Sequence, residues 1–265
     1  MRTVYADESL AKKPALPSHP QIVGVIPARL ASTRLSRKVL REIAGRPMLD
    51  WVYRAARACG QLARVLIATD SDEVMAFATE SGFEAMMTPA ACASGTDRVH
   101  FVAQNVAADI YVNVQGDEPL VRTEQIDALL RPILRRADVL ISTVATACAP
   151  KQIGNPNAVK VVTAADGRAL YFSRAAIPYD RDGSGSVKYQ KHLGLYAYRK
   201  SALDQFPTLP ASALEAAERL EQLRFLEAGI DIYVEPTEFD SIGVDTEEDR
   251  AAVEAILLRR LSAPE

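Results

Sequence analysis

The chain has 265 residues, 48% hydrophobic and 25% charged, with a formal net charge of -3. That ratio excludes a wholly disordered chain, and 31 basic against 34 acidic residues argue against a general nucleic-acid binder. No run of about 18 apolar residues is present, so no membrane span is expected. Residues 1–20 contain three prolines (Pro14, Pro17, Pro20), mixed charges and no apolar h-region. They read as a mobile extension and not as a secretory signal. Cys59, Cys92 and Cys148 are widely spaced with no CxxC pair. Neither a disulfide framework nor a structural zinc site is expected, and a reducing cytoplasm fits best.

Order is expected from Ile22 to Ile26, an apolar run suited to a strand buried on both faces. A basic stretch follows to Glu42. Pro47 to Arg57 reads as a helix, with Met48, Trp51, Val52 and Ala55 sharing a face and Gly60 able to end it. Arg64 to Thr69 is a second buried strand, and Asp70 with Glu73 resembles a cap opening a helix to about Glu80. Glu84–Thr88 is strand-like, Thr96–Gln104 helical, and Ile110–Val114 a strand. Thr123–Arg136 is helical, with Pro132 a possible kink. Val139–Thr146, Ala158–Thr163 and Leu193–Tyr198 are strands. Ser212 and Glu215 form a capping box for a helix to about Ala228. Ile230–Val234 is a strand, and Thr246–Leu261 a final helix with Val253, Ile256, Leu257 and Leu261 on one stripe. Strands alternating with helices of about 10–15 residues indicate an α/β fold around a largely parallel sheet. Residues 150–200 hold more strand and less helix, which reads as an insertion or subdomain.

Ligands of such sheets bind beyond the carboxyl ends of the strands. There the first strand runs into Pro27-Ala28-Arg29-Leu30-Ala31-Ser32-Thr33-Arg34-Leu35-Ser36-Arg37-Lys38-Val39-Leu40-Arg41. Its five cations (Arg29, Arg34, Arg37, Lys38, Arg41) suit a polyanion such as a nucleoside triphosphate. Neither a Walker loop nor a dinucleotide fingerprint is present. After the strand at 110–114, Gln115-Gly116-Asp117-Glu118-Pro119 places a permissive glycine before two carboxylates. Magnesium is usually held by one or two carboxylates plus substrate phosphates, and Asp117 is the first candidate. Glu118 is expected to pack or bond locally. Asp245, in Gly243-Val244-Asp245-Thr246-Glu247-Glu248-Asp249, is a distant second carboxylate or else a helix cap.

PARLASTRLSRKVL resembles the phosphate-binding signature of the cytidylyltransferases that activate 3-deoxy-manno-octulosonate (Kdo). ATDSDEV, ASGTDR, VNVQGDEP, NPNAVKVV, ALYFSRAAIPYDRD, HLGLYAYR, LEQLR and GVDTEED follow in that family's order, over roughly residues 22 to 250. The resemblance implies a three-layer, Rossmann-like, mostly parallel sheet of the nucleotide-diphospho-sugar transferase type, with a smaller strand-rich insertion. It makes 21–265 one nucleotidyltransferase domain, with 150–200 serving sugar binding or dimerisation.

It further implies that Pro27, Ala28, Arg29, Ser32, Arg34 and Lys38 hold the nucleotide, with Ala68, Thr69, Asp70, Ser94, Gly95 and Gln115 by the base, ribose or phosphates. Asp117 and Asp245 become the Mg2+ ligands, and Arg29, Lys38 and Asp117 the catalytic groups. An acidic sugar must approach anionic CTP, and like charges about 5 Å apart at an effective dielectric near 20 repel by roughly 3 kcal/mol. Arg174 is the candidate cation for the sugar carboxylate, with His192 as a hydrogen-bond partner. The family resemblance adds Gln115, Tyr196, Glu221 and Gln222 on the sugar hydroxyls. It also implies a cytoplasmic homodimer feeding lipopolysaccharide assembly. Ser36-Arg37 stands where the family has Pro-Gly, Val39 where it has Pro, and Cys92 where it has His. A related ulosonic acid such as amino-Kdo is the alternative substrate. The rivals of other classes are a non-catalytic nucleotide-binding relative and a glycosyltransferase with an acidic metal motif.

Overall fold

The computed structural model describes residues 17–30, 35 and 37–262. Of the extension expected over 1–20, residues 1–16 fall outside that range, and residues 17–20 form neither helix nor strand. The apolar runs become strands β1 (Ile22–Pro27), β4 (Arg64–Thr69), β5 (Ala85–Met87), β6 (Ile110–Asn113), β7 (Ile141–Ala147) and β11 (Ile232–Pro236). Two short strands, β2 (Glu42–Ile43) and β3 (Arg46–Pro47), make a separate hairpin. Residues 150–200 supply β8 (Lys160–Thr163), β9 (Ala169–Ser173) and β10 (Gln190–Arg199).

The main sheet runs β11–β7–β10–β6–β1–β4–β5, with β8 and β9 attached beside β10. Its pairings are parallel except where β10 lies between β6 and β7 and where β8 meets β10 and β9. The chain is therefore a mixed α/β fold on a mostly parallel sheet. Side chains alternate along β1, so Ile22 and Ile26 enter one core and Val23 and Val25 the other. Helices α1 (Met48–Arg57), α2 (Asp72–Glu80) and α4 (Thr123–Arg135) close the first core. The second is closed by α3 (Gly95–Asn105), α5 (Lys200–Leu203) and α7 (Gln222–Glu227), while α6 (Ala213–Glu218) buries no residue. Both faces are covered, which a parallel sheet requires.

A third cluster positions the site. The final helix α8 (Glu247–Ser262) buries Val253 and Leu257 against Leu35, Ile43, Met48, Leu120 and Val244. Trp51 Nε1 donates to the Ile43 carbonyl at 2.8 Å, and Glu254 accepts from the Ala44 amide at 2.9 Å. The last segment of the chain is thus fastened over the residues that follow β1.

Several local expectations are corrected. The cap of α2 is Ser71, whose hydroxyl accepts from the Val74 amide, while Asp70 is drawn to Arg98. The helix expected over 212–228 breaks at Arg219, which has φ 53°. Ser212 does accept from the Glu215 amide at 2.9 Å, but the Glu215 carboxylate pairs with Arg224 instead of closing the box. Leu261 is 59% exposed and leaves the apolar stripe of α8. The hairpin went unread because its Ala44-Gly45 turn needs positive φ at both positions, a demand an alanine does not advertise.

Gly116 is required by crowding. A Cβ there would lie 2.8 Å from the Pro27 carbonyl oxygen, whereas one at Gly60 would meet nothing within 4 Å. Gly116→Ala is expected to lower unfolding stability by about 1–3 kcal/mol, and Gly60→Ala to stay within about 0.5 kcal/mol. Urea denaturation of both variants checks this contrast.

Candidate active site

The loops after β1, β4 and β6 meet at the carboxyl edge of the sheet. The β1 ladder extends past its end, with the Ala28 amide donating to the Ala68 carbonyl at 2.9 Å. Pro27, Ala28 and Ala68 therefore form a fixed backbone floor. Thr69 is buried, and its carbonyl accepts from both the Thr88 amide at 2.7 Å and the Thr88 hydroxyl at 3.0 Å. Asp70 accepts from the fully buried Arg98, so its carboxylate is committed to that guanidinium. Ser94 caps α3 in a reciprocal box with Asp97, which consumes its hydroxyl and leaves Gly95 facing the cleft. Arg29 Nη2 donates to the Cys92 carbonyl at 2.5 Å, tying the basic loop to the turn before α3. Burial pushes the Cys92 thiol up, which keeps it a weak nucleophile. Of the remaining loop residues, Arg37 pairs with Glu73 and Arg41 with Glu247. Ser32 and Arg34 lie outside the described residues.

Asp117 and Asp245, far apart in sequence, meet at one point. Lys38 Nζ donates to Asp117 Oδ2 at 2.5 Å and to Asp245 Oδ1 at 2.8 Å. The Val244 amide bonds the Asp117 carbonyl at 2.9 Å, so the two segments are joined through the backbone as well. Capping of α8 falls to Thr246, whose hydroxyl accepts from the Asp249 amide at 3.1 Å while Asp249 bonds back to the Thr246 amide at 3.0 Å. Asp245 is thereby released to face Lys38. Burial alone would lower the Lys38 ammonium, but Asp117 and then Asp245 outweigh it and hold it above the ordinary lysine value. Two carboxylate oxygens within 2.8 Å of one point are hard donors of the kind magnesium takes. No cluster of three or more His, Cys, Asp or Glu suited to a metal occurs among the described residues. Any further ligands would come from a substrate or water.

Beside this pair opens a cavity of about 670 Å³ whose lining includes Gln115, His192, Tyr196, Glu221, Gln222 and Asp245. β10 bulges against β7 between Leu193 and Tyr196, and His192 and Tyr196, four residues apart on one face of the strand, stand on the cavity wall with ring centroids 5.4 Å apart. Gln115 is braced from that bulge, donating to the Gly194 carbonyl at 3.2 Å. Thr143 spends its hydroxyl proton on the Leu195 carbonyl at 2.7 Å, so it accepts from His192 Nε2 at 3.0 Å. His192 Nδ1 is left as a hydrogen-bond acceptor. Burial pushes this imidazole down to about 3, so it serves as a neutral group. Burial also raises the Glu221 carboxyl, and burial followed by the charge of Asp117 raises Glu118 to about 7.

Buried polar atoms ordinarily find partners. Among the described residues six side-chain atoms do not, and five of them (Glu118 Oε2, Gln152 Oε1, Tyr196 OH, Gln222 Nε2 and Ser241 Oγ) belong to residues lining this cavity. Donors and acceptors are thus held ready for a polyhydroxylated ligand. Arg174 is not brought there, contrary to expectation. Its guanidinium donates to the carbonyls of Glu218 at 2.7 Å, Pro156 at 2.9 Å and Arg219 at 3.3 Å. Among the described residues the one Lys or Arg on the cavity lining is Lys191, bonded to Asp240 and to the Ser241 carbonyl, both at 2.8 Å. Sequence reasoning missed Lys191, Gln152 and Ser241. The position of Lys191 next to His192 was the available signal for the first, and nothing in the pattern marked the other two.

His192 also makes a pH prediction. Its ordinary value of 6.5 applies in the unfolded chain and about 3 in the fold. Above 6.5 neither state is protonated and the residue has no effect. As pH falls below 6.5 the unfolded state binds a proton that the fold refuses, so stability drops by up to about 1.4 kcal/mol per pH unit. His192→Gln should flatten this acid limb between pH 6.5 and 4.5 in denaturation curves. An unchanged slope contradicts the assignment.

Comparison with known proteins identifies the family and the fold. Residues 23–232 match the family described as Cytidylyltransferase. The chain is 64% identical over 239 residues to 3-deoxy-manno-octulosonate cytidylyltransferase of Acidobacterium capsulatum, covering 90% of this chain and 97% of the relative. It is 58% identical to the protein of the same name from Koribacter versatilis, covering 90% of each. A solved structure of CMP:2-keto-3-deoxy-manno-octonic acid synthetase complexed with CTP superposes with a TM-score of 0.87 at 39% identity, over 91% of this chain and 99% of that one. The chain belongs to the 3-deoxy-manno-octulosonate cytidylyltransferase family.

Proposed function

We propose that the chain transfers CMP from CTP to the anomeric hydroxyl of Kdo, releasing pyrophosphate. The observation that carries this reading is the meeting of Asp117 and Asp245 at Lys38, beside a cavity lined with unpartnered polar atoms. Phosphoryl transfer asks a protein mainly for positioning and charge stabilisation. Arg29 and Lys38, with Ser32 and Arg34, would bind the triphosphate and offset charge on the departing pyrophosphate. Pro27, Ala28, Ala68, Thr69, Asp70, Ser94, Gly95 and Gln115 would frame the nucleoside, largely through backbone groups. Tyr196, Gln222, Glu221 and neutral His192 would orient the sugar, and Lys191 would reduce repulsion between its carboxylate and CTP.

Asp117 and Asp245 would hold Mg2+, which when bound polarises the α-phosphate and lowers the pKa of the attacking hydroxyl. The two aspartates suit this role because both offer carboxylate oxygens to the same point. We also propose a cytoplasmic enzyme, a homodimer whose 150–200 segment serves the sugar site or the dimer contact, and a supply of activated sugar for lipopolysaccharide assembly. Exposed Leu170 and Tyr179 support a contact on that segment. Three free cysteines fit a reducing compartment, and no described helix is long and apolar enough to cross a membrane.

Pyrophosphate release, measured with CTP, UTP and ATP against Kdo, amino-Kdo and a sialic acid, tests the reading. CTP with Kdo should be the productive pair, and no release from it would refute the function. Asp117→Asn and Asp245→Asn should each lower turnover at least ~100-fold, and near-normal turnover in either removes that residue from the metal role. Chelation with EDTA should abolish release, and added Mg2+ should restore it.

A further inference from the structure

Lys160 opens β8 and is fully buried, with 0% of its surface exposed. Its ammonium donates to three backbone carbonyls: Asn155 at 2.9 Å, Ala158 at 2.5 Å and Arg174 at 2.8 Å. All three of its donors are spent on main chain. Burial lowers its pKa, as expected for a charge taken out of water. Arg174 continues the pattern, with its guanidinium on the Pro156, Glu218 and Arg219 carbonyls. The Glu218 carboxylate in turn accepts from the Ser173 hydroxyl at 2.6 Å and the Arg174 amide at 2.9 Å.

Five of the six carbonyls gripped belong to two segments, and the sixth, of Arg174, ties Lys160 to the other cation. Residues 155–158 contribute Asn155, Asn157 and Ala158 to the cavity lining, and the segment after Glu218 contributes Leu220, Glu221 and Gln222. The second segment turns sharply at Arg219, with φ 53°, which is strained for a residue other than glycine. Neither Lys160 nor Arg174 lines the cavity. An apolar side chain would fill the place of Lys160 without the desolvation cost of an ammonium. What the ammonium adds is a fixed path for backbone that has no ladder of its own.

We propose that Lys160, together with Arg174, is a positioning residue for the sugar acid. The two cations knot the 155–158 turn to the 218–222 turn and hold both walls of the sugar subsite in register. This inference rests on the reading of the cavity as the sugar-acid site. Arg174 acts here through the walls and not by touching the sugar.

Steady-state kinetics of Lys160→Met and Arg174→Gln, with CTP and Kdo varied in turn, test it. The expected result is a rise of about tenfold to a hundredfold in KM for Kdo, with KM for CTP within about twofold of wild type. The double variant should lie close to the worse single, because the knot acts as a unit, and Arg174→Lys should recover part of the loss. Unchanged KM for Kdo in both variants overturns the proposal. So does a parallel rise of both KM values with a lowered Tm, which marks a general structural role. Should Lys160→Met fail to fold, Arg174→Gln decides alone, since its guanidinium lies in part at the surface. Wild type inactive with Kdo refutes the functional reading, whereas active wild type with unaltered variants refutes only the knot.

Discussion

The structure is organised around an ammonium shared by two carboxylates. Asp117 and Asp245 would repel each other at this separation, and Lys38 holds them together. At 2.5 and 2.8 Å both contacts are short, charge-assisted hydrogen bonds. Much of the fold serves to make that meeting possible. Gly116 passes under the Pro27 carbonyl at a distance no side chain allows, and the Val244 amide clips the last segment to the Asp117 carbonyl. The α8 helix, packed on Leu35, Ile43 and Met48, then keeps Asp245 where the loop after β1 delivers Lys38.

The second constraint is desolvation. The cavity beside the aspartates keeps Glu118, Gln152, Tyr196, Gln222 and Ser241 with buried atoms lacking partners. Such atoms lower stability until a ligand bonds them. The strain is supported from outside the cavity, by Lys160 and Arg174 gripping main-chain carbonyls and by Thr143 holding His192 in one tautomer. On the proposed reading, the groups that would bind the sugar and the groups that aim them are separate sets of residues.

Buried parallel strands were legible because their apolar runs are continuous, as at Ile22–Ile26 and Arg64–Thr69. The link between the basic loop, Asp117 and Asp245 was legible through motif resemblance, although no local pattern joins residues so far apart. What escaped reading depended on tertiary partners. Asp70 looked like a cap until buried Arg98 claimed it, and the 212–228 helix looked continuous until Arg219 turned it. Arg174 looked like a ligand for an anion, yet carbonyls from two other segments engage three of its five N–H donors. A sequence shows that a cation is present, but the competition for its donors is settled only in three dimensions.

The most direct test of the shared site is Mn2+ binding in the presence of CTP, followed by the loss of the free-ion EPR signal. Wild type, Asp117→Asn, Asp245→Asn and the double variant complete a thermodynamic cycle. If the two aspartates act on one ion, each single variant loses nearly as much affinity as the double. If Asp245→Asn binds Mn2+ as wild type does, or the two losses simply add, the carboxylates do not share a metal.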